Sequence, residues 1–433
     1  MRRFWLGSLV LCGCLSGTPL WAQGQQKSAQ NSLALSSATA GKDPVERAAF
    51  EHALDEEQLK ALQGQTVKLL MRNGDEEENV VIKKFVTGKQ ADRFRSIDVL
   101  LNGKTSRKIN AEKVFQIEAE SVVYPLSYLP TQKMYVLDDL AARTEEISSR
   151  LAKTQYHKFW GELSQEEIGK ETTKQKEELQ KVGQHFGRLP MQLHETKYFL
   201  FFTDMPAGQA APFTAHLDKM YEFLGQAFGI KPGTNVWQGK CPVVCFTNRG
   251  DFYEYETRFM DNPNAVGAQG ICHANTLGAV TISCYRGENP DFFAAVLVHE
   301  TAHGYIHRVK TSTFVTTWVN EGIAEWVAAA IVPKEGKAGE IGRRQRAGAE
   351  VVTNAGRLGP FYDLEGLNRD QYGIASSMVE LLLKINPEQF KLFFNGIKEG
   401  LEWEDSLTRA YGMNRADLTR LYGRTLGLPN LTE

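Results

Sequence analysis

The hydrophobic positions along this chain change their period several times, and each change predicts a different kind of element. Between residues 57 and 125 the apolar residues come in short runs. Thr66-Val67-Lys68-Leu69-Leu70-Met71 leads into Asn73-Gly74, and Ile97-Asp98-Val99-Leu100-Leu101 leads into Asn102-Gly103. A β-rich run ending in Asn-Gly predicts a hairpin, so this stretch reads as a small β module, an SH3-like barrel being one form open to it. It carries no catalytic constellation, which makes it a spacer or a binding module. Residues 138–190 are highly charged and poor in Gly and Pro, and the run from Lys170 to Lys181 predicts a solvated, helical connector. Beyond Pro190 the pattern turns apolar. Tyr198-Phe199-Leu200-Phe201-Phe202 and Pro242-Val243-Val244-Cys245-Phe246 predict buried strands, and apolar helices follow to the end of the chain. Residues 23–56 have no apolar periodicity and predict a flexible leader. The fold class expected is α+β, with the chemistry in residues 191–433.

A chain of 433 residues predicts two or three units, and a hydrophobic fraction of 42% supports sizeable cores. A formal net charge of −2 gives no sign of nucleic-acid or membrane-surface binding as a main activity. The first residues say more. Arg2 and Arg3 precede an apolar run from Phe4 to Leu15, and small and polar residues follow to Ala22. That pattern predicts a secretory signal peptide cut after Ala22, with Cys14 in Leu11-Cys12-Gly13-Cys14 as an alternative lipid-anchor site. The run is too short for a spanning helix, and no later stretch is apolar enough to be one. Export makes an even set of four cysteines (Cys241, Cys245, Cys272 and Cys284) suggest one or two disulfides, with free buried thiols as the other option.

The residues that carry chemistry begin at Pro290-Asp291, a pair suited to a helix start. Residues 292–307 read FFAAVLVHETAHGYIH. His299 and His303 are four apart and share one helix face, with Glu300 about 100° round. Two imidazoles at that spacing can reach one Zn²⁺ and leave the carboxylate of Glu300 free to act on water. Surface histidines on a solvated helix would need polar flanks, which this segment lacks. A second apolar helix is predicted from Trp318-Val319-Asn320-Glu321-Gly322-Ile323-Ala324-Glu325-Trp326. Two carboxylates four apart on a greasy face repel and pay desolvation. A cation between the helices removes the objection, with Glu321 as third ligand and Glu325 holding a ligand histidine in one tautomer.

His299-Glu300-x-x-His303 followed by Asn320-Glu321-Gly322 resembles the gluzincins, the thermolysin and aminopeptidase-N type of metallopeptidase, and in particular the exported bacterial proteins described as peptidase-MA-like. The resemblance covers residues 195–425. It implies a zincin-type domain with one Zn²⁺, and it makes Tyr372, at the head of Tyr372-Gly373-Ile374-Ala375-Ser376-Ser377, the tyrosine that steadies an oxyanion. Two departures narrow it. The Gly-x-Met-Glu-Asn motif that grips a free amino terminus is absent, with Gly267-Ala268-Gln269-Gly270 standing roughly in its place. Val309 occupies the position of a metzincin's third histidine, and His307 is expected to be structural. The function expected is zinc-dependent hydrolysis of a peptide or protein substrate, with Glu300 as general base and then acid and Tyr372 at the oxyanion. The alternative is a zinc-stabilised envelope scaffold with a vestigial site.

Overall fold

The computed structural model describes residues 52–139 apart from 72–74, 121, 130 and 131, isolated positions between 141 and 149, and residues 160–433. The signal peptide, the lipid site at Cys14, the leader up to residue 51, the Asn73-Gly74 turn and the first part of the connector lie outside the described residues.

A short helix α1 (Glu56–Ala61), started by a capping box between Asp55 and Gln58, leads into seven antiparallel strands. These are β1 (Thr66–Met71), β2 (Glu76–Thr87), β3 (Phe94–Leu101), β4 (Thr105–Asn110), β5 (Val114–Ala119), β6 (Val122–Leu129) and β7 (Met134–Leu137). The ladder β2-β1-β5-β6-β7-β3 returns to β2, so the sheet closes on itself and β4 lies outside it on β3. Closure leaves few free edges and encloses an apolar core that includes Leu69, Ile82, Ile97 and Ile117. The Asn102-Gly103 turn forms as its sequence predicts. Both residues have positive φ (49° and 68°), and the Lys104 N–H donates to Leu101 O at 3.0 Å. The sheet continues to Leu137, past residue 125.

A long helix α2 (Gln165–His185), capped by Ser164 and Glu167, precedes the second unit. There follow β8 (Gln192–Glu195), β9 (Phe199–Thr203), α3 (Ala207–Phe228), β10 (Cys241–Phe246), α4 (Arg249–Phe259), β11 (Gly270–Ala274), β12 (Val280–Tyr285) and α5 (Pro290–Arg308). Helices α6 (Thr317–Ile331), α7 (Glu340–Ala355), α8 (Arg369–Ile385), α9 (Pro387–Lys398), α10 (Trp403–Tyr411) and α11 (Arg415–Thr425) complete the chain. The sheet order is β11-β12-β10-β9-β8. Its three central strands are parallel, and both edge strands run antiparallel to their neighbours. The protein is therefore α+β, with a mixed sheet and helices on both of its faces. Period-2 geometry sends Phe199 and Phe201 to the core under α3 and α5, while Leu200 and Phe202 join the core under α2 and α4. Both faces are covered, which is why β9 reads as an unbroken apolar run. Among the described residues no helix is long and apolar enough to cross a membrane.

The cysteines require a correction. Cys241, Cys245, Cys272 and Cys284 are all free. Cys245 and Cys284 are register partners on β10 and β12, but both thiols lie in the apolar interior, and Cys284 Sγ faces Val244 O. Burial pushes Cys241, Cys245 and Cys272 above the usual thiol range. The thiolate that disulfide exchange requires is therefore scarce.

Candidate metal centre

Helix α5 begins where its sequence says it should. Asn289 Oδ1 accepts the N–H groups of Asp291 (3.0 Å) and Phe292 (3.1 Å), and Pro290 occupies the first turn, where no N–H is needed. The helix then runs through the core, with His299 and His303 one turn apart and their ring centroids separated by 4.7 Å. Helix α6 presents Glu321 to them. His299 Nε2 and His303 Nε2 are 3.1 Å apart and stand 3.3 and 3.4 Å from Glu321 Oε2. Among the described residues this is the group whose donor atoms converge as metal ligands would.

The residues fit a cation. Glu321 is fully buried, and no well-directed hydrogen bond reaches either of its oxygens. An uncompensated carboxylate at that depth costs several kcal/mol. The triangle of donor atoms has the size that surrounds a single ion at about 2 Å from each. Without an ion the group falls back on protons. Burial opposes a charged His299, yet Glu321 and Glu325 raise its pKa to about 10. Burial likewise opposes a charged His303, and Glu321 raises it. Burial would lift Glu321, but His303 and His299 hold it down at about 2. The site is built for positive charge.

Neighbouring side chains fix the imidazoles. His303 Nδ1 is 3.2 Å from Asn320 Oδ1, and His299 Nδ1 is 3.2 Å from Glu325 Oε1. Glu325 Oε1 also accepts from Arg344 Nη1 of α7 at 2.7 Å. His303 Nδ1 thus has Asn320 Oδ1 as its hydrogen-bond partner, Glu325 is the carboxylate beside His299 Nδ1, and both rings turn Nε2 towards Glu321. Gly322 serves the same arrangement. A Cβ there would come within 2.6 Å of Ala375 O and Val379 Cγ2, so only glycine lets α8 pack this close behind the ligand helix.

Glu300 is 3% exposed and stands outside the triangle. Burial pushes its pKa up to about 7, against the lowering pull of His299 and His303 and a hydrogen bond from the Cys272 N–H. It lines two cavities. One, of about 100 Å³, continues past His303 to Ile306, Phe314 and Val315. The other, of about 270 Å³, passes His299 to Glu325, Arg344 and Tyr372. Tyr372 lies on α8, which begins three residues earlier at Arg369 and is capped by Asn368. Its ring centroid is 6.1 Å from that of His299, and the Arg344 guanidinium stands 5.8 Å from the ring.

The edge strand β11 forms one wall of the site. A Cβ at Gly270 would come within 2.8 Å of Glu300 Cγ, so this glycine allows the strand to reach the carboxylate. Behind the strand lies a buried network absent from the sequence-based expectations. Glu256 of α4, with no exposed surface, accepts from Ser283 Oγ at 2.5 Å and Asn262 Nδ2 at 2.7 Å, and lies 2.9 Å from His273 Nε2. It ties β11 and β12 to the helix beneath them. His307 stays outside the metal group. Its Nε2 meets Asn275 O at 3.2 Å, and burial, helped by Lys398, lowers its pKa to about 4. The neutral ring fastens α5 to the β11–β12 turn.

The fold and site define a buried cluster of two imidazoles and one carboxylate that can hold a metal ion at the edge of a mixed sheet. Comparison of the chain with models of known protein families and with curated proteins finds no match.

Proposed function

We propose that this chain is an exported, zinc-dependent peptidase of the gluzincin kind. One observation carries the proposal: Glu300 stands beside the His299–His303–Glu321 triangle without joining it, in a cleft that opens on both of its sides. Three protein ligands are what catalytic zinc sites offer, with a further position left open. When bound, the ion supplies Lewis acidity, polarising a carbonyl and making water easier to deprotonate. The remaining work falls to the chain. Glu300 takes a proton from water and returns it to the departing amine, which suits a carboxyl whose burial keeps its pKa near neutrality. Tyr372 donates to the oxygen on which charge develops. Among the described residues strand β11 pairs with no strand on its outer side, and it offers the substrate backbone a partner by strand addition.

The test is digestion of an unstructured protein such as reduced casein by the full chain at neutral pH. Fragments are expected, and they should vanish with a chelator and return with added zinc. Intact casein after incubation with folded, zinc-loaded protein would overturn the proposal and favour a non-catalytic scaffold. Replacing Tyr372 by Phe is expected to lower kcat by about 10²-fold with little change in thermal stability. Steady-state kinetics and a thermal melt check this, and an unaltered rate would remove Tyr372 from the chemistry.

A further inference from the structure

Resting on the peptidase proposal, we propose that the cavity beside His303 receives a bulky apolar side chain from the substrate residue on the N-terminal side of the scissile bond. Glu300 lines both cavities of the cleft, so the bond it acts on lies between them. The two cavities differ in chemistry. The one beside His299 has apolar residues such as Phe292, Val296 and Ile341 but also carries Glu325, Glu335, Glu340 and Arg344. The one beside His303 is walled by Cys272, Ala274, Ile306, Phe314 and Val315, and its polar groups besides Glu300 are the uncharged Thr313 and Asn320 and the imidazoles of His303 and His307.

Strand direction assigns the sides. Gly270, at the start of β11, lines the cavity beside His299, and Ala274, at its end, lines the one beside His303. Among the described residues the outer side of β11 is unpaired. An added strand pairs best antiparallel, the more stable and commoner ladder. Such a substrate enters at Ala274 and leaves at Gly270, which puts the residue before the scissile bond at the His303 cavity. Cys272 and Ala274, two apart, face that cavity, while Ile271 and His273 point into the core behind.

The cavity's chemistry selects its guest. Among the described residues that line it, Glu300 is the one carboxylate. Behind its wall the buried Lys398 donates to Thr313 O at 3.0 Å, so the wall there offers a basic side chain no counter-ion. An acidic side chain would lose water beside Glu300, a like charge. An aliphatic or aromatic side chain loses nothing and covers Phe314, which stands 53% exposed at the mouth.

A random peptide library digested by the full-length, zinc-loaded protein, with cut sites read by mass spectrometry, tests this. Leu, Met or Phe is expected at the residue whose carbonyl is cut, with kcat/KM at least about tenfold above that for Gly or Asp there. Ala274→Leu, which fills the cavity, should lower that ratio about tenfold, and Phe314→Ala, at an exposed position that folding does not need, should lower it several-fold. Calorimetry with the uncut peptides on Glu300→Gln protein should show the same order of affinities. Cleavage without this preference, a preference on the C-terminal side instead, or a ratio unmoved by both variants overturns the inference and leaves the peptidase proposal standing. Absence of cleavage by any peptide overturns both, unless the apolar peptides still bind Glu300→Gln selectively, which would uphold the cavity alone.

Discussion

Glu321→Gln is expected to leave the protein unable to retain zinc and to fold with lower stability than the metal-free wild type, whose buried His299 and His303 keep a carboxylate counter-ion. The substitution keeps the volume of a fully buried side chain, so no cavity opens. It exchanges a charged ligand for a neutral amide at the one corner of the triangle that supplies negative charge. In the metal-free wild type the same carboxylate serves as counter-ion to protonated His299 and His303, which explains why its pKa is held down at about 2. With Gln in place that pairing is lost, and both imidazoles become easier to deprotonate. Elemental analysis after dialysis should find zinc in wild type and none in Glu321→Gln. Thermal melts should separate ligand from fold. At a hundredfold excess of zinc over its Kd, wild type should gain about 2.7 kcal/mol, or roughly 5–10 °C for a unit of this size, and the variant nothing. Retention of stoichiometric zinc by Glu321→Gln would mean that this carboxylate is not a ligand, and the catalytic proposal would fail with it.

How much of this could be read from the sequence depends on how local each feature is. The histidine helix was legible because i, i+4 spacing fixes a shared face within one element, and because Pro290-Asp291 marks its start. Glu321 and Glu325 were legible for the same reason, as two charges on one turn of an otherwise apolar helix. The partners that make the site work are not local. Arg344 reaches Glu325 from a different helix. Glu256, His273 and Ser283 meet from α4, β11 and β12, and no spacing in the chain announces a contact between three separate elements. Asn320 lay in plain view beside Glu321, but its bond to His303 Nδ1 depends on how α5 and α6 cross.

The N-terminal sheet teaches a related lesson. Apolar patterning put its end at residue 125, and a proline there reads as a break because it lacks a ladder N–H. Yet Pro125 lies within β6 opposite Gln116 and accepts the Asp138 N–H through its carbonyl. Closure of the barrel through β7 supplies a tertiary reason to continue that local pattern does not contain. The cysteine expectation failed for a different reason. It rested on the compartment, which makes a disulfide possible, whereas pairing depends on thiols that can approach and ionise, and burial raises the pKa of Cys241, Cys245 and Cys272.

Glu300→Gln is expected to do the opposite of Glu321→Gln: zinc stays and turnover is lost. Glu300 contributes no atom to the metal group, and Gln preserves its shape against β11, so the metal content should match wild type. What the amide cannot do is accept a proton from water and pass it to the leaving nitrogen, a contribution typically of about 10²–10⁴-fold. The pH dependence carries a second mark. A carboxyl acting as base must be ionised, so kcat/KM falls as pH drops through its pKa. Burial places that value at about 7 in the absence of an ion, and a cation close by pulls it lower. The acid limb of the wild-type profile should therefore lie below pH 7, and the residual activity of Glu300→Gln should lack it. Zinc analysis, casein kinetics and a pH series on the two proteins decide the matter together. A zinc-free variant would make Glu300 a ligand, and full activity with zinc bound would assign the proton transfer to another group.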